Sequence, residues 1–311
     1  IPAMPEFQFL RSQKRIYDHL SDQYFSYSGP TSMGKSFIMR MFLKDQVESG
    51  IQKNFALLVP TKALINEVTS KIINDLKENL KERNYRLVTS AGAIVLKEKH
   101  NFIFVLTPER LLYLLISNPD MPIHYLFVDE AHKLSEIDSR GPFYYKVIDK
   151  LLERTEKPHI IFASPNIPNP EIYLKSIPDL EMIEDRKLSS SFSPVTQFKF
   201  LISFGQRSIS MFNDYSESLT KVAQFDGDIS LNTILPFVSR NYDGKAKQNI
   251  VYCSSIAQAV SLARSYADTI HTTVPNQDVW ALSRDIKQEV HGDYFLAEII
   301  TKGVAYHIGY L

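Results

Sequence analysis

The sequence has one cysteine, Cys253, which excludes an internal disulfide framework and any zinc site built on paired cysteines. A reducing, cytoplasmic setting is the expectation. A surplus of charge is also missing: Lys plus Arg and Asp plus Glu number 35 each, so any affinity for nucleic acid has to come from local geometry rather than from a bulk positive field. Long hydrophobic runs are absent too. Its apolar runs, such as ALLV and FIFVL, fall far short of the roughly 20 residues that cross a bilayer, and no membrane partner is expected. The start, IPAMPEFQF, lacks the charged and apolar regions of a secretory signal; beginning at Ile1, it reads as a processed, tagged or partial sequence. No solenoid-type repeat or low-complexity tract occurs.

What is present is a globular composition, 311 residues with 44% apolar content, enough for two cores. From residue 24 to about 165, QYFSYS, NFALLVP, RLVTS, FIFVLT, YLFVDE and HIIFAS alternate with helical patterns. Most are continuous apolar runs. Strands of that kind are covered on both faces, which predicts an α/β fold with a parallel sheet flanked by helices. One helix is marked by the stripe Leu64, Ile65, Val68, Ile72, Leu76 and Leu80. Around 185–195 the text turns to DRKLSSSFSPV, polar and serine-rich, and predicts a linker over 186–195 between a first domain, 1–185, and a second, 196–311. In the second, TQFKFLISF reads as a strand, 205–248 is weakly patterned, and QNIVYCSS reads as a buried strand running into the helix IAQAVSLARSYA.

Residues 29–36, GPTSMGKS, fit the pattern of a phosphate-binding loop. Gly29, Pro30, Thr31, Ser32, Met33 and Gly34 would turn backbone N–H groups toward phosphates, Lys35 would reach the terminal phosphates, and Ser36 would hold Mg²⁺ at a helix N-terminus. A Gly-containing turn with an incidental lysine is the plainer alternative. Asp129 and Glu130 end the apolar run YLFV, at the carboxyl end of a strand where open α/β sheets bind ligands. Asp129 can support the Mg²⁺ held by Ser36, and Glu130 can orient and deprotonate water. An acidic pair after a strand is often only a solvated turn. With a complete phosphate loop in the same chain, the two together read as a P-loop NTPase using ATP and Mg²⁺.

The order and spacing of these motifs resemble a superfamily 2 helicase of DEAD/DExH type, closest to the superkiller-type branch. GPTSMGKS resembles motif I, VPTKAL at 59–64 motif Ia, TPERLL at 107–112 motif Ib, and VDEAH at 128–132 motif II. SPNIPNPE at 164–171 resembles the motif III region, SPVTQ at 193–197 the start of the second domain, IVYCSS at 250–255 motif IV, and KGVAYHIGYL at 302–311 the segment before the later motifs. The resemblance implies two RecA-like domains, the second incomplete because motifs V and VI, with the arginines that complete the ATP site, are unmatched before Leu311. On that reading these 311 residues alone bind nucleotide without hydrolysing it.

By the same resemblance, Gln13 matches the position that reads adenine, whose edge an amide can both donate to and accept from; an exposed helix-surface glutamine is the alternative. His132 matches the histidine that links nucleotide state to the interdomain surface. Pro60, Thr61, Thr107, Pro108, Glu109 and Arg110 match motifs that hold a single strand of DNA or RNA by its phosphates, while helix capping is the plainer role for the threonines. Ser164 and Asn166 match coupling positions, Asn166 placing an amide where the family has a hydroxyl. The implied activity is ATP-driven helicase or translocase work. The other reading is an ATP-binding, nucleic-acid-sensing switch or scaffold that controls a partner such as a nuclease, for example in bacterial defence.

Overall fold

The computed structural model describes the chain except for residues 2–3, 5–6, 91–99, 136–139, 182–183, 192, 196, 214–215, 240–247 and 309–311. It has two compact units, Ile1–Thr196 and Gln197–Leu311. In the first, α1 (Arg11–His19) precedes β1 (Tyr24–Ser28), α2 (Lys35–Glu48), β2 (Phe55–Leu58), α3 (Lys62–Leu76), the short α4 (Asn79–Glu82) and β3 (Tyr85–Val88). Then come β4 (Asn101–Leu106), α5 (Pro108–Ser117), β5 (Tyr125–Val128), α6 (Gly141–Leu152), β6 (His159–Ser164) and β7 (Lys187–Ser189). All six apolar runs are strands. The seven strands are ordered β3-β4-β2-β5-β6-β1-β7, and every pairing is parallel.

Successive side chains of a strand point to opposite faces, so each run feeds two cores. Phe25, Tyr27, Phe55 and Phe127 go to one side with Ile38 and Phe42 of α2 and Ile65 and Ile72 of α3. Leu58, Phe104, Leu126 and Phe162 go to the other, against Leu111 and Leu114 of α5 and Val147 and Leu151 of α6. Each such burial contributes about 1.5–3 kcal/mol, and this double cover explains why the runs are not interrupted by polar residues. The predicted stripe on α3 is buried as far as Leu76; the helix then breaks at Lys77 (φ 42°), and Leu80 reaches the same core from α4.

Lys187–Ser189 correct the expected 186–195 linker. They form β7, pairing in parallel with Ser26–Ser28. Of the three, only Leu188 is buried, so no periodicity marks the strand.

In the second unit β8 (Lys199–Ser203), β9 (Ser208–Asn213) and β10 (Ser218–Gln224) form an antiparallel three-stranded sheet. They are followed by α7 (Leu231–Ser239), α8 (Ile256–Asp268), α9 (Gln277–Glu289) and α10 (Phe295–Ile299). Its core is small: Ala263, Ala267, Ile299 and Val304, with Phe295 and Tyr306 against it. The buried strand expected at 250–255 is not formed. Those residues have no sheet partner, and Ile250 and Tyr252 are 80% and 92% exposed, because a doubly covered strand needs neighbours that the described residues of this unit do not supply. Among the described residues, no helix is long and apolar enough to cross a membrane.

Candidate nucleotide and strand site

β1 delivers the chain into the loop Gly29–Gly34, whose middle, Thr31–Met33, is a single 3₁₀ turn, and Gly34 starts α2 at φ 83°. That left-handed position favours glycine, and a Cβ there would sit 3.3 Å from Gln13 Nε2. At Gly29 a Cβ would sit 2.4 Å from Met33 Sδ, so a side chain there would have to displace the Met33 thioether. Lys35 Nζ donates to the carbonyls of Gly29 at 2.9 Å and Pro30 at 3.2 Å. Burial lowers the ammonium's pKa, against the pull of Glu130 and Asp129. Ser32 Oγ lies 2.8 Å from Ser193 Oγ, tying the loop to the segment that follows β7.

β5 ends at Val128, and β6 lies between it and β1 in the sheet. Across that interval Ser36 Oγ donates to Asp129 Oδ2 at 3.0 Å, and the Glu130 N–H donates to Asp129 Oδ1 at 3.0 Å. Burial raises the Asp129 carboxyl above the ordinary range, with repulsion from Glu130 adding to it, and the Ser36 hydrogen bond offsets only part. A buried carboxylate beside a hydroxyl is the hard-oxygen pair that suits Mg²⁺, so the residues fit that ion. Glu130 has φ 54°, a conformation that costs a non-glycine residue of order 1–3 kcal/mol and is stored where structure over-determines it. Its carboxylate is 3.2 Å from His132 Nδ1, with both side chains 30% exposed, so it faces water while Asp129 does not.

Gln13 is not a free surface glutamine. Its Nε2 donates to the Met33 carbonyl at 2.9 Å and its Oε1 accepts from the Leu10 N–H at 3.0 Å, which places it on the loop. Ser164, buried at the end of β6, accepts from the Gly29 N–H at 3.3 Å through its carbonyl, whereas Asn166 is exposed and away from these contacts.

The remaining motif residues lie at helix starts after β2 and β4. Thr61 caps α3, accepting from the Leu64 N–H at 3.3 Å. Thr107 precedes Pro108 at the start of α5, is buried, and makes no cap with its hydroxyl. The capping alternative therefore describes Thr61 and not Thr107. Arg110 Nη1 donates to the Thr89 carbonyl at 2.8 Å. Sequence reasoning missed Arg140, which donates to the Pro60 carbonyl at 2.6 Å and pairs with Glu109 at 3.3 Å, joining the two motifs. It stands immediately before α6, outside any periodic pattern. Ser193 was noticed only as part of SPVTQ, and nothing local reveals its contact with Ser32.

The chain is 25% identical over 229 residues to an uncharacterised ATP-dependent helicase of Methanocaldococcus jannaschii, MJ1574, covering 68% of this chain and 32% of that protein. It thus spans about a third of that relative's length. Among solved structures it is similar to the DUF1998 helicase MrfA, with a TM-score of 0.59 at 14% identity over 91% of this chain and 43% of that one. It is also similar to MrfA bound to DNA, with a TM-score of 0.57 at 13% identity over 89% and 40%. At these identities the likeness is one of fold. Residues 11–172, more than half of the chain, match the DEAD/DEAH box helicase family, and the chain belongs to that family of superfamily 2 helicases.

Proposed function

We propose that the protein is an ATP-dependent helicase or translocase that couples ATP hydrolysis to movement along a DNA or RNA strand. The observation that carries the reading is the 3.0 Å hydrogen bond from Ser36 to Asp129, which joins the end of the phosphate loop to the acidic strand end. In this reading Lys35 exchanges the Gly29 and Pro30 carbonyls for phosphate oxygens, and Ser36 and Asp129 hold Mg²⁺. The bound ion would neutralise charge building on the phosphates. Glu130 takes the proton of the attacking water, held by His132 at 3.2 Å, and His132 carries nucleotide state onward. Gln13 retains one N–H and one lone pair beyond its two present bonds, enough for an adenine edge.

The hydroxyls of Thr61 and Thr107 and the guanidinium of Arg110 take strand phosphates without reading bases, in turns shaped by Pro60, Pro108 and Glu109, with Arg140 setting the distance between the two groups. Ser164 transmits loop movement through Gly29, and Asn166 presents its amide on the surface. Residues 196–311 belong to the second domain of that motor, and a cytoplasmic location suits the whole. The switch-or-scaffold alternative has no observation of its own in its favour. The deciding experiment is Glu130→Gln in the full chain: nucleotide binding should persist while strand-stimulated turnover falls by roughly 10²–10⁴. Near-normal turnover would remove Glu130 as the base.

A further inference from the structure

The second unit holds a cleft of about 490 Å³, within the range of small-molecule sites. It is lined by Phe204, the segment 229–232 and one face of α8, where Gln258, Ser261 and Ser265 recur at helical spacing beside Leu262. No lining residue is ionisable. Its polar groups are nonetheless available. Gln258 Oε1 accepts from the N–H and the hydroxyl of Ser254, at 3.0 and 2.9 Å, which leaves its amide N–H groups unused. Among the described residues, the side chains of Asn232, Ser261 and Ser265 make no hydrogen bond.

This combination selects one kind of occupant. A site for phosphate would carry cations, as Lys35 does at the loop, and none lines this cleft. A purely apolar partner would leave two carboxamides and two hydroxyls unpaired on contact, at the usual desolvation cost. A nucleobase meets both conditions: it is uncharged, has donors and acceptors on its edge, and has a flat face for which the Phe204 ring is a stacking surface. We propose that the cleft of Phe204, Asn232, Gln258, Ser261 and Ser265 receives an unpaired base of a nucleic-acid strand. The inference rests on the reading that the protein engages a nucleic-acid strand.

The test compares fluorescein-labelled oligothymidine with an abasic oligonucleotide of equal length by anisotropy on the full chain. Wild type should bind oligothymidine at least about fivefold more tightly, the lower end of what base stacking contributes. Phe204→Ala should weaken oligothymidine by a similar factor while leaving the abasic strand and the salt slope unchanged. Ser261→Leu, which fills the cleft from an exposed helix position, should reproduce the effect, with circular dichroism as the folding control. If either variant weakens both oligonucleotides equally, or neither, the base pocket is overturned while strand binding stands. If neither oligonucleotide binds wild type, the strand reading fails and takes the pocket with it.

Discussion

Arg140 and Glu109 lie 3.3 Å apart, and because the same guanidinium donates to Pro60, one side chain holds the two proposed phosphate-binding turns at a fixed separation. The pair is half-exposed, so its direct contribution to stability is about 0–1 kcal/mol. Its effect should appear in strand binding instead. Arg140→Ala is expected to weaken oligonucleotides of all sequences equally in anisotropy titrations and to leave nucleotide affinity unchanged. A loss restricted to one base sequence would contradict this role.

Asp129 gives a pH-dependent prediction. Its carboxyl is raised in the folded protein, first by burial and then by Glu130. A group raised on folding contributes stability that is complete below its unfolded pKa, about 3.9 for Asp, and is lost as pH rises through the folded value. At neutral pH the charged carboxylate therefore costs stability. Asp129→Asn should raise the Tm of the nucleotide-free protein at pH 7, with a gap that narrows as pH falls, and should abolish the Mg²⁺-dependent part of stabilisation by ATP. An unchanged or lower Tm at pH 7 would count against it.

Lys35→Ala removes the cation facing the loop. Truncating one member of a buried charge pair costs about 2–5 kcal/mol, which corresponds to a loss of roughly 30-fold or more in ATP·Mg²⁺ affinity by calorimetric titration. Unchanged affinity would dismiss the phosphate-loop assignment.

Gly34→Ala tests the backbone. A Cβ at φ 83° costs roughly 1–2 kcal/mol and also crowds Gln13 Nε2 at 3.3 Å. The expected result is a Tm lowered by several degrees together with weaker nucleotide binding; a variant as stable as wild type would show that the left-handed turn is not required.

The first unit was legible because burial on both faces forces continuous apolar runs, and the phosphate loop because its glycines answer steric demands within eight consecutive residues. Asp129 and Glu130 were found for the same local reason, at the end of such a run. β7 was hidden because three residues with one buried side chain carry no period. β9, buried only at its first two residues, and the exposed β10 escaped notice, and IVYCSS, apolar but unpaired, was mistaken for a buried strand: composition records hydrophobicity, and only neighbours decide burial. Arg140 and Ser193 act across 80 and 161 positions of sequence, distances over which no local pattern extends.

The place of β1 in the sheet also sets an order of assembly. It is the first strand in sequence, yet its two neighbours are β6 and β7, with Tyr24 opposite Ile160 and Ser28 opposite Ser189. Until those late segments are available β1 has no ladder, and contacts of such long sequence separation are slow to close. The strand that carries the phosphate loop thus gains its ladder only once β6 and β7 have been made. Nucleotide competence is then a late property of the folding chain, and ATP a ligand that draws the closing steps of the first unit to completion by binding only the finished sheet.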